Sequence, residues 1–501
     1  MARGTAEGDP VSEHGSFDQH ASIYDDTDTG SGRSAVRIAS VAALGGFLFG
    51  YDSAVINGAV AAIEDRFDVA AGPLGFAVAS ALLGAAAGAL TAGKFADRFG
   101  RLFTMKVAAV LFFASALVTG FAPNLAILVI GRIIGGVGVG VASVIAPAYI
   151  AEVAPARIRG RLGSLQQLAI VSGIFLSLLV DFAFASAAGG SRNEFWFGLE
   201  AWRWMFLAMA VPAVIYGVLT LTIPESPRYL IATHRIPEAR RILSSLLGER
   251  GLDIKINRIR ETMERETPPS WADLRAPRSG LLPIVWVGLG LSVFQQFVGI
   301  NVIFYYSNVL WEAVGFSEDD SFVITVITSV VNIVTTLIAI ASVDRFGRRP
   351  LLLIGSVGMA VTLGTLAVVF GTAPLNAEGA PVLSDVTGPI ALIAANLFVV
   401  AFGMSWGPVV WVLLGEAFPN RIRAAALAFA AGGQWVANWL ITVSFPSLSD
   451  ISLSLAYGLY TVFAVLSLLF VLRWVQETKG VELEDMHGNT SAVAGDARRS
   501  G

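Results

Sequence analysis

The 501-residue sequence contains no cysteine, which excludes disulfides and thiolate metal sites. Histidine is almost as scarce: His14, His20, His234 and His487 are the only four, and none falls in a long apolar run. Any proton chemistry inside such a run must therefore use another group. Charge is sparse as well, at 14% against roughly 25% in ordinary soluble domains. The apolar runs hold no nucleophile-base pair, metal cluster or phosphate-binding loop, so neither enzymatic chemistry nor a cofactor, metal or nucleic-acid partner is expected. The first 34 residues lack the basic-then-apolar order of a secretory signal and read as a disordered polar tail.

What remains is apolar. Hydrophobic residues make up 55% of the chain, and runs of the length that crosses a ~30 Å hydrocarbon core occur twelve times. They lie near 36-60, 73-95, 103-122, 125-150, 162-183, 203-223, 281-308, 322-343, 350-372, 389-414, 424-446 and 454-474. The sequence therefore predicts an all-α protein of the lipid bilayer. Arginine and lysine concentrate in the connections at 96-106, 151-161, 343-349 and 420-423, and the alternate connections are poor in them. The positive-inside rule then puts the basic loops and both tails in the cytoplasm of a multi-pass cell-membrane protein.

A polar block at 224-280 divides the runs six and six. Apolar residues at helical spacing in RRILSSLLGERGL and INRIRETM predict short amphipathic helices there, on the cytoplasmic face. The expected organisation is a tail (1-34), a six-helix half (35-223), the helical linker (224-280), a second six-helix half (281-474) and a tail (475-501). The halves repeat their punctuation: ADRFGRL at 96-102 recurs as VDRFGRR at 343-349, and AEVAPARIRGR at 151-161 as GEAFPNRIRAA at 415-425. Internal duplication of this kind marks transporters that rock one half against the other around a midplane site. Arg98, Arg101, Glu152 and Arg159 could form a charge network at the cytoplasmic end of the first half, with Arg345, Arg348, Arg349, Glu416 and Arg423 its counterpart in the second. Such networks would latch the outward-facing state; the plainer reading is positive-inside anchoring.

These repeated motifs, together with GGFLFGYDSAVING, PESPRYL (224-230), SVFQQFVGINVIFYYS (292-307), SWGPVVWVLLGEAFPNRIR (405-423) and QETKG (476-480), resemble the sugar porter family of the major facilitator superfamily. The resemblance runs from about 36 to 482 and is strongest to bacterial proton-coupled glucose permeases, then to xylose permeases. One departure is Gln476, where the family's ending has proline. The resemblance implies a major facilitator fold, twelve transmembrane helices in two six-helix bundles around a cavity that opens alternately to each side. A single chain is expected to suffice for function.

Within GFLFGYDSAVINGA stands one acid, Asp52, and within ILVIGRIIGGVGVG one base, Arg132. At ~1.5 Å per residue, Asp52 lies ~24 Å up its helix from the cytoplasm and Arg132 ~10 Å down from the outside, similar depths in a ~30 Å core. They are predicted partners, and the only ionisable residues well inside the runs. The pair is either a static tie or a proton switch in which Arg132 favours the ionised acid and desolvation disfavours it. Proton-coupled relatives resemble this chain in carrying an acid at this place, which implies symport; a facilitated uniporter would not need one.

A monosaccharide calls for neutral amides and aromatic faces. Gln295, Gln296 and Asn301 crowd the seventh run, where Gly299 and the pair Tyr305 and Tyr306 suggest a breakable helix serving as an outer gate. Gln167, Asn332, Trp411, Gln434, Trp435 and Asn438 complete the candidate set. All except Asn438 match sugar contacts implied by the family motifs. The resemblance favours glucose, with xylose, galactose and inositol as alternatives.

Overall fold

The computed structural model describes residues 32–154, 159–247, 251–265, 271–275, 280–377, 380–418 and 422–477. The tails and the sequence around 155-158 and 419-421 lie outside it. Among the described residues, twelve helices are long and apolar enough to cross a membrane, numbered here spans 1 to 12: Arg33–Phe67, Ala71–Phe99, Arg101–Gly120, Leu125–Val153, Ser164–Ala188, Ala201–Thr222, Pro283–Ala313, Glu318–Ser342, Arg348–Thr372, Thr387–Leu414, Ala425–Ile451 and Leu453–Trp474. Among the described residues between spans 6 and 7 lie the short helices Pro227–Ala232, Ile236–Leu247 and Leu252–Arg265, the last two where the apolar periodicity predicts them.

Spans pack through small residues, because lipid offers no hydrophobic drive between helices and close backbone approach must supply the contact. Gly136 and Gly140 of span 4 stand so close to the carbonyls of Ala81 and Ala85 in span 2 that a methyl group on either would lie 1.9 or 2.1 Å from oxygen. Span 1 meets span 5 in the same way, through Gly50 against Ile170 and Gly173 against Phe47.

The repeated loops have a repeated physical purpose. In each half the D-R-F-G-R turn passes through a glycine of positive φ, Gly100 (97°) or Gly347 (89°), and starts the next span with unpaired backbone N–H groups. A carboxylate from the segment that ends the same half meets them. Glu225 of PESPRYL accepts from Arg101 N (3.0 Å) and Leu102 N (3.2 Å), and Glu477 of QETKG accepts from Arg348 N and Arg349 N (3.0 Å each). An anion at a helix N-terminus is stabilised both by these bonds and by the helix dipole.

Spans 1 and 7 are broken within their length, as span 10 is at Ser405. Span 1 ends its α-helix at Ala54 and passes through a short 3-10 turn, Asn57–Ala59, before Val60–Phe67. Span 7 divides into Pro283–Phe297 and Ile300–Ala313 at Gly299, whose φ is +83°, as the sequence anticipates. A methyl group at Gly299 would also sit 2.7 Å from the Tyr460 ring. Left-handed backbone and crowding act together, so Gly299→Ala should lower stability by ~1–3 kcal/mol. A thermal unfolding scan of purified protein checks it, and an unchanged midpoint would mean that the break is not strained.

The halves meet at the end away from the basic loops, here the far end. Asn57 of span 1 donates to the Phe304 carbonyl (3.0 Å) and accepts from Asn308 N (3.0 Å), two backbone groups one turn apart on the same face of the second segment of span 7. Glu318 at the start of span 8 accepts from Ser191 N (2.9 Å), and Gly75 of span 2 lies against the Val443 carbonyl of span 11. These contacts run between the halves, and they clasp the far end shut.

Candidate functional site

Asp52 and Arg132 meet as their depths predict, both almost wholly buried, with Nη1 3.5 Å from Oδ2. Their geometry is unusual. Arg132 Nη1 donates at 2.8 Å to the backbone carbonyl of Asp52, while neither carboxylate oxygen finds a hydrogen-bond partner. The guanidinium lies 5.9 Å from the Phe206 ring centre and its Nε is unpartnered. Gly135, one turn from Arg132, makes room for the acid, since a methyl group there would come within 2.6 Å of Asp52 Oδ1. A small cavity joins the pair to the other half: Asp52, Ser53 and Arg132 line it together with Tyr305.

The amides of span 7 form one connected network. Asn301 Nδ2 donates to Gln296 Oε1 (2.5 Å), Gln296 Nε2 to Gln295 Oε1 (3.4 Å) and Gln434 Nε2 to the same Gln295 oxygen (2.7 Å). Gln295 Nε2 donates to the carbonyls of Trp406 (2.8 Å) and Gly407 (3.0 Å), where span 10 restarts after its own interruption at Ser405. Gln295 is thus the hub, with its hydrogen-bonding capacity filled by protein. Gln434 Oε1 is a buried acceptor without a donor.

Neighbouring candidates divide. Trp435 faces Phe49 of span 1, ring centres 6.4 Å apart, which brings span 11 against the turn that carries Asp52. Asn438 accepts from Thr442 and, with Ser53, lies against the Tyr305 hydroxyl. Asn332 lies beside Gly403 of span 10, Trp411 is 43% exposed, and Gln167 is exposed. The adjacent Gln166 is the buried amide, packed on Gly46 without a hydrogen-bond partner. The expected gate pair also divides. Tyr305 stands at the seam, whereas Tyr306 donates to the Thr442 carbonyl (2.9 Å) and stacks near Phe445, inside the second half.

Two expectations need correction. Asp52 and Arg132 are not the only ionisable residues deep in the spans: Asp181 is 0% exposed. The apolar run fades at 183, but the helix continues to Ala188 and carries Asp181 two turns inside. In the first-half network, Arg98 is exposed over Phe99 and does not reach Glu152. Arg101 does, through Nε (3.1 Å) and Nη2 (3.0 Å), and it also bonds Asp97 (3.0 Å). Ser226 donates to Glu152 as well (2.5 Å). All these groups lie on the first-half side of the molecule, and they are joined in the same structure in which the far end is clasped. In the second half Arg345 is exposed, and Arg349 Nη2 donates to the Leu472 carbonyl (3.0 Å). The side chains of Arg159, Glu416 and Arg423 lie outside the described residues.

Two duplicated halves, clasped at one end and holding their polar groups at the seam, make an alternating-access membrane transporter. The chain belongs to the sugar transporter family, whose model, described as "Sugar (and other) transporter", matches residues 38–489. It is 56% identical over 451 residues to a glucose transport protein of Synechocystis, covering 90% of this chain and 96% of that one. It is 39% identical to the D-xylose-proton symporter of Escherichia coli K12, covering 90% and 94%. Among solved structures, the inward open conformation of the xylose transporter XylE from E. coli superposes with a TM-score of 0.76 at 38% identity, covering 90% of this chain and 98% of that one. The fold is accordingly that of the major facilitator superfamily.

Proposed function

We propose that the chain is a proton-coupled symporter of the cell membrane that carries a monosaccharide, D-glucose, inward. The observation that bears most on this reading is the cavity shared by Asp52, Arg132 and Tyr305. It joins a buried acid of one half to the broken helix of the other, whose amides offer the neutral donors and acceptors a sugar needs. Asp52 is the proton carrier. A buried carboxylate that owes its stability to one charge at 3.5 Å, and to no hydrogen bond, changes state when that charge moves. Arg132 also donates at 2.8 Å to the backbone carbonyl of residue 52, a bond that does not depend on the charge of the carboxyl group.

Gln295, Gln296, Asn301, Gln434 and Trp435 form the sugar site, with Asn332, Trp411, Asn438 and Gln167 at its margin. The unpartnered Gln434 Oε1 is a ready acceptor for a sugar hydroxyl. Glucose is supported by the name of the Synechocystis relative, and protons by the name of the E. coli symporter. The basic loops put the linker, both tails and the charge networks in the cytoplasm, so the clasped far end is the outer one. Transport needs no bond-making step, and one chain contains the whole site.

Uptake of labelled glucose into proteoliposomes under an inward proton gradient tests this reading. Concentrative uptake, blocked by excess unlabelled glucose more strongly than by xylose, galactose or inositol, is the expected result. Preferential block by xylose would reassign the substrate.

A further inference from the structure

Asp181 has no place in the mechanism above. It is fully buried in span 5, ~10 Å from the far end of that helix; no side chain hydrogen-bonds either carboxyl oxygen, and the donor that faces it is the Gly58 backbone N–H. It faces the 3-10 turn of span 1, where a methyl group at Gly58 would lie 2.7–2.9 Å from its Cβ, Cγ and Oδ2. Apart from Glu312 at the far end of span 7, which faces Glu318, Arg192 and Asp65, the charged and titratable groups on the surrounding helices are engaged elsewhere. Tyr51 of span 1 donates to the Met205 carbonyl (3.4 Å), and Arg132 of span 4 is held by Asp52. Arg203 of span 6 binds Glu200 and the carbonyls of Gly120 and Ala122. Glu318 of span 8 takes Ser191 N, and Arg192 pairs with Asp65.

The same turn carries the clasp. Gly58 touches Asp181, and its neighbour Asn57 bridges to Phe304 and Asn308 of the other half. A carboxylate sealed in this seam with no cation beside it and only the Gly58 N–H to face is strongly disfavoured against the neutral acid, which loses far less on burial. Clasp and proton are therefore linked, because whatever favours the sealed seam favours the protonated acid, and the reverse must hold.

We propose that Asp181 is a proton-binding site that locks the outer end. An external proton forms the carboxyl O–H, and the neutral acid lets the span 1 turn close on span 5 with Asn57 in its clasp. When the outer ends part and water reaches Asp181, the O–H ionises and the proton returns outside. Because the group is sealed while the far end is shut, this proton is not delivered to the cytoplasm. It sets how external pH controls opening and leaves the proton-to-sugar ratio unchanged. The direction of proton release rests on the orientation proposed above; the linkage itself depends neither on the identity of the sugar nor on Asp52.

The absence of native cysteine allows a direct test. Spin labels at Ala70→Cys and Val386→Cys, exposed far-end positions one in each half, report the opening as a distance by electron-electron resonance. The parent for this test carries Asp52→Asn, so that Asp52 cannot contribute, and no sugar is added. Moving from mildly acid to mildly alkaline buffer should raise the long-distance population several-fold. Asp181→Asn, and separately the smaller Asp181→Ser, should hold the short distance at both pH values. A parent distance indifferent to pH, or either neutral variant opening with alkali as the parent does, would overturn the proposal. Because no sugar or Asp52 carboxyl takes part, such a failure would leave the symport reading standing, and failed symport would leave this one standing.

Discussion

Asp52→Asn should abolish accumulation of glucose against its gradient while sugar exchange continues near the parental rate. Each unit of pH gradient supplies ~1.4 kcal/mol to a one-proton symporter, about a tenfold accumulation. An amide cannot carry the proton, so the inside-to-outside ratio of the variant should settle at one. Removing half of a buried ion pair commonly costs about 3–5 kcal/mol because the remaining charge is stranded. Here that cost is limited for two reasons. Arg132 donates to the backbone carbonyl of residue 52, which the substitution leaves in place, and a neutral residue 52 beside a charged Arg132 is a state the transport cycle itself must visit. Concentrative uptake by the variant would remove Asp52 from the coupling step.

Gln295→Ala should weaken glucose binding about ten- to a hundredfold, equivalent to ~1.4–2.8 kcal/mol. The loss reaches beyond one contact. Without the hub, the Trp406 and Gly407 carbonyls lose their donor, and Gln434 loses the acceptor that orients it. Unsatisfied buried groups cost ~1–3 kcal/mol each, some of which relaxation recovers. Thermal stability should therefore fall modestly while affinity falls more, a split that calorimetric titration and a melting scan together resolve. Unchanged affinity would move the sugar site away from span 7.

Much of this was legible in the sequence, and for definite reasons. The pairing of Asp52 with Arg132 follows from counting residues along two apolar runs, because a helix converts sequence distance to depth and a buried charge needs a partner. The break in span 7 follows from Gly299 amid polar residues. Where reasoning fell short, the cause was usually a helix end or a face. Asp181 looked terminal because the apolar run fades at 183, although hydrogen bonding carries the helix on to Ala188. Adjacent residues on a helix point ~100° apart, so choosing between Gln166 and Gln167, or Tyr305 and Tyr306, required the packing partners. Glu225 and Glu477 stand within the motifs PESPRYL and QETKG, but their capping of distant helix starts is a tertiary contact with no local signal. Asn57, the clasp between the halves, sat in GFLFGYDSAVINGA beside the acid; a lone buried asparagine was the available clue.

Proton-sugar symport through Asp52 is tested most directly by external pH in a lightly buffered suspension of de-energised cells carrying the protein. Adding glucose should make the medium alkaline as protons enter with the sugar, and the Asp52→Asn form should take up glucose with no pH change. Glucose uptake by the unsubstituted chain without alkalinisation would contradict symport and leave Asp52 as a structural partner of Arg132.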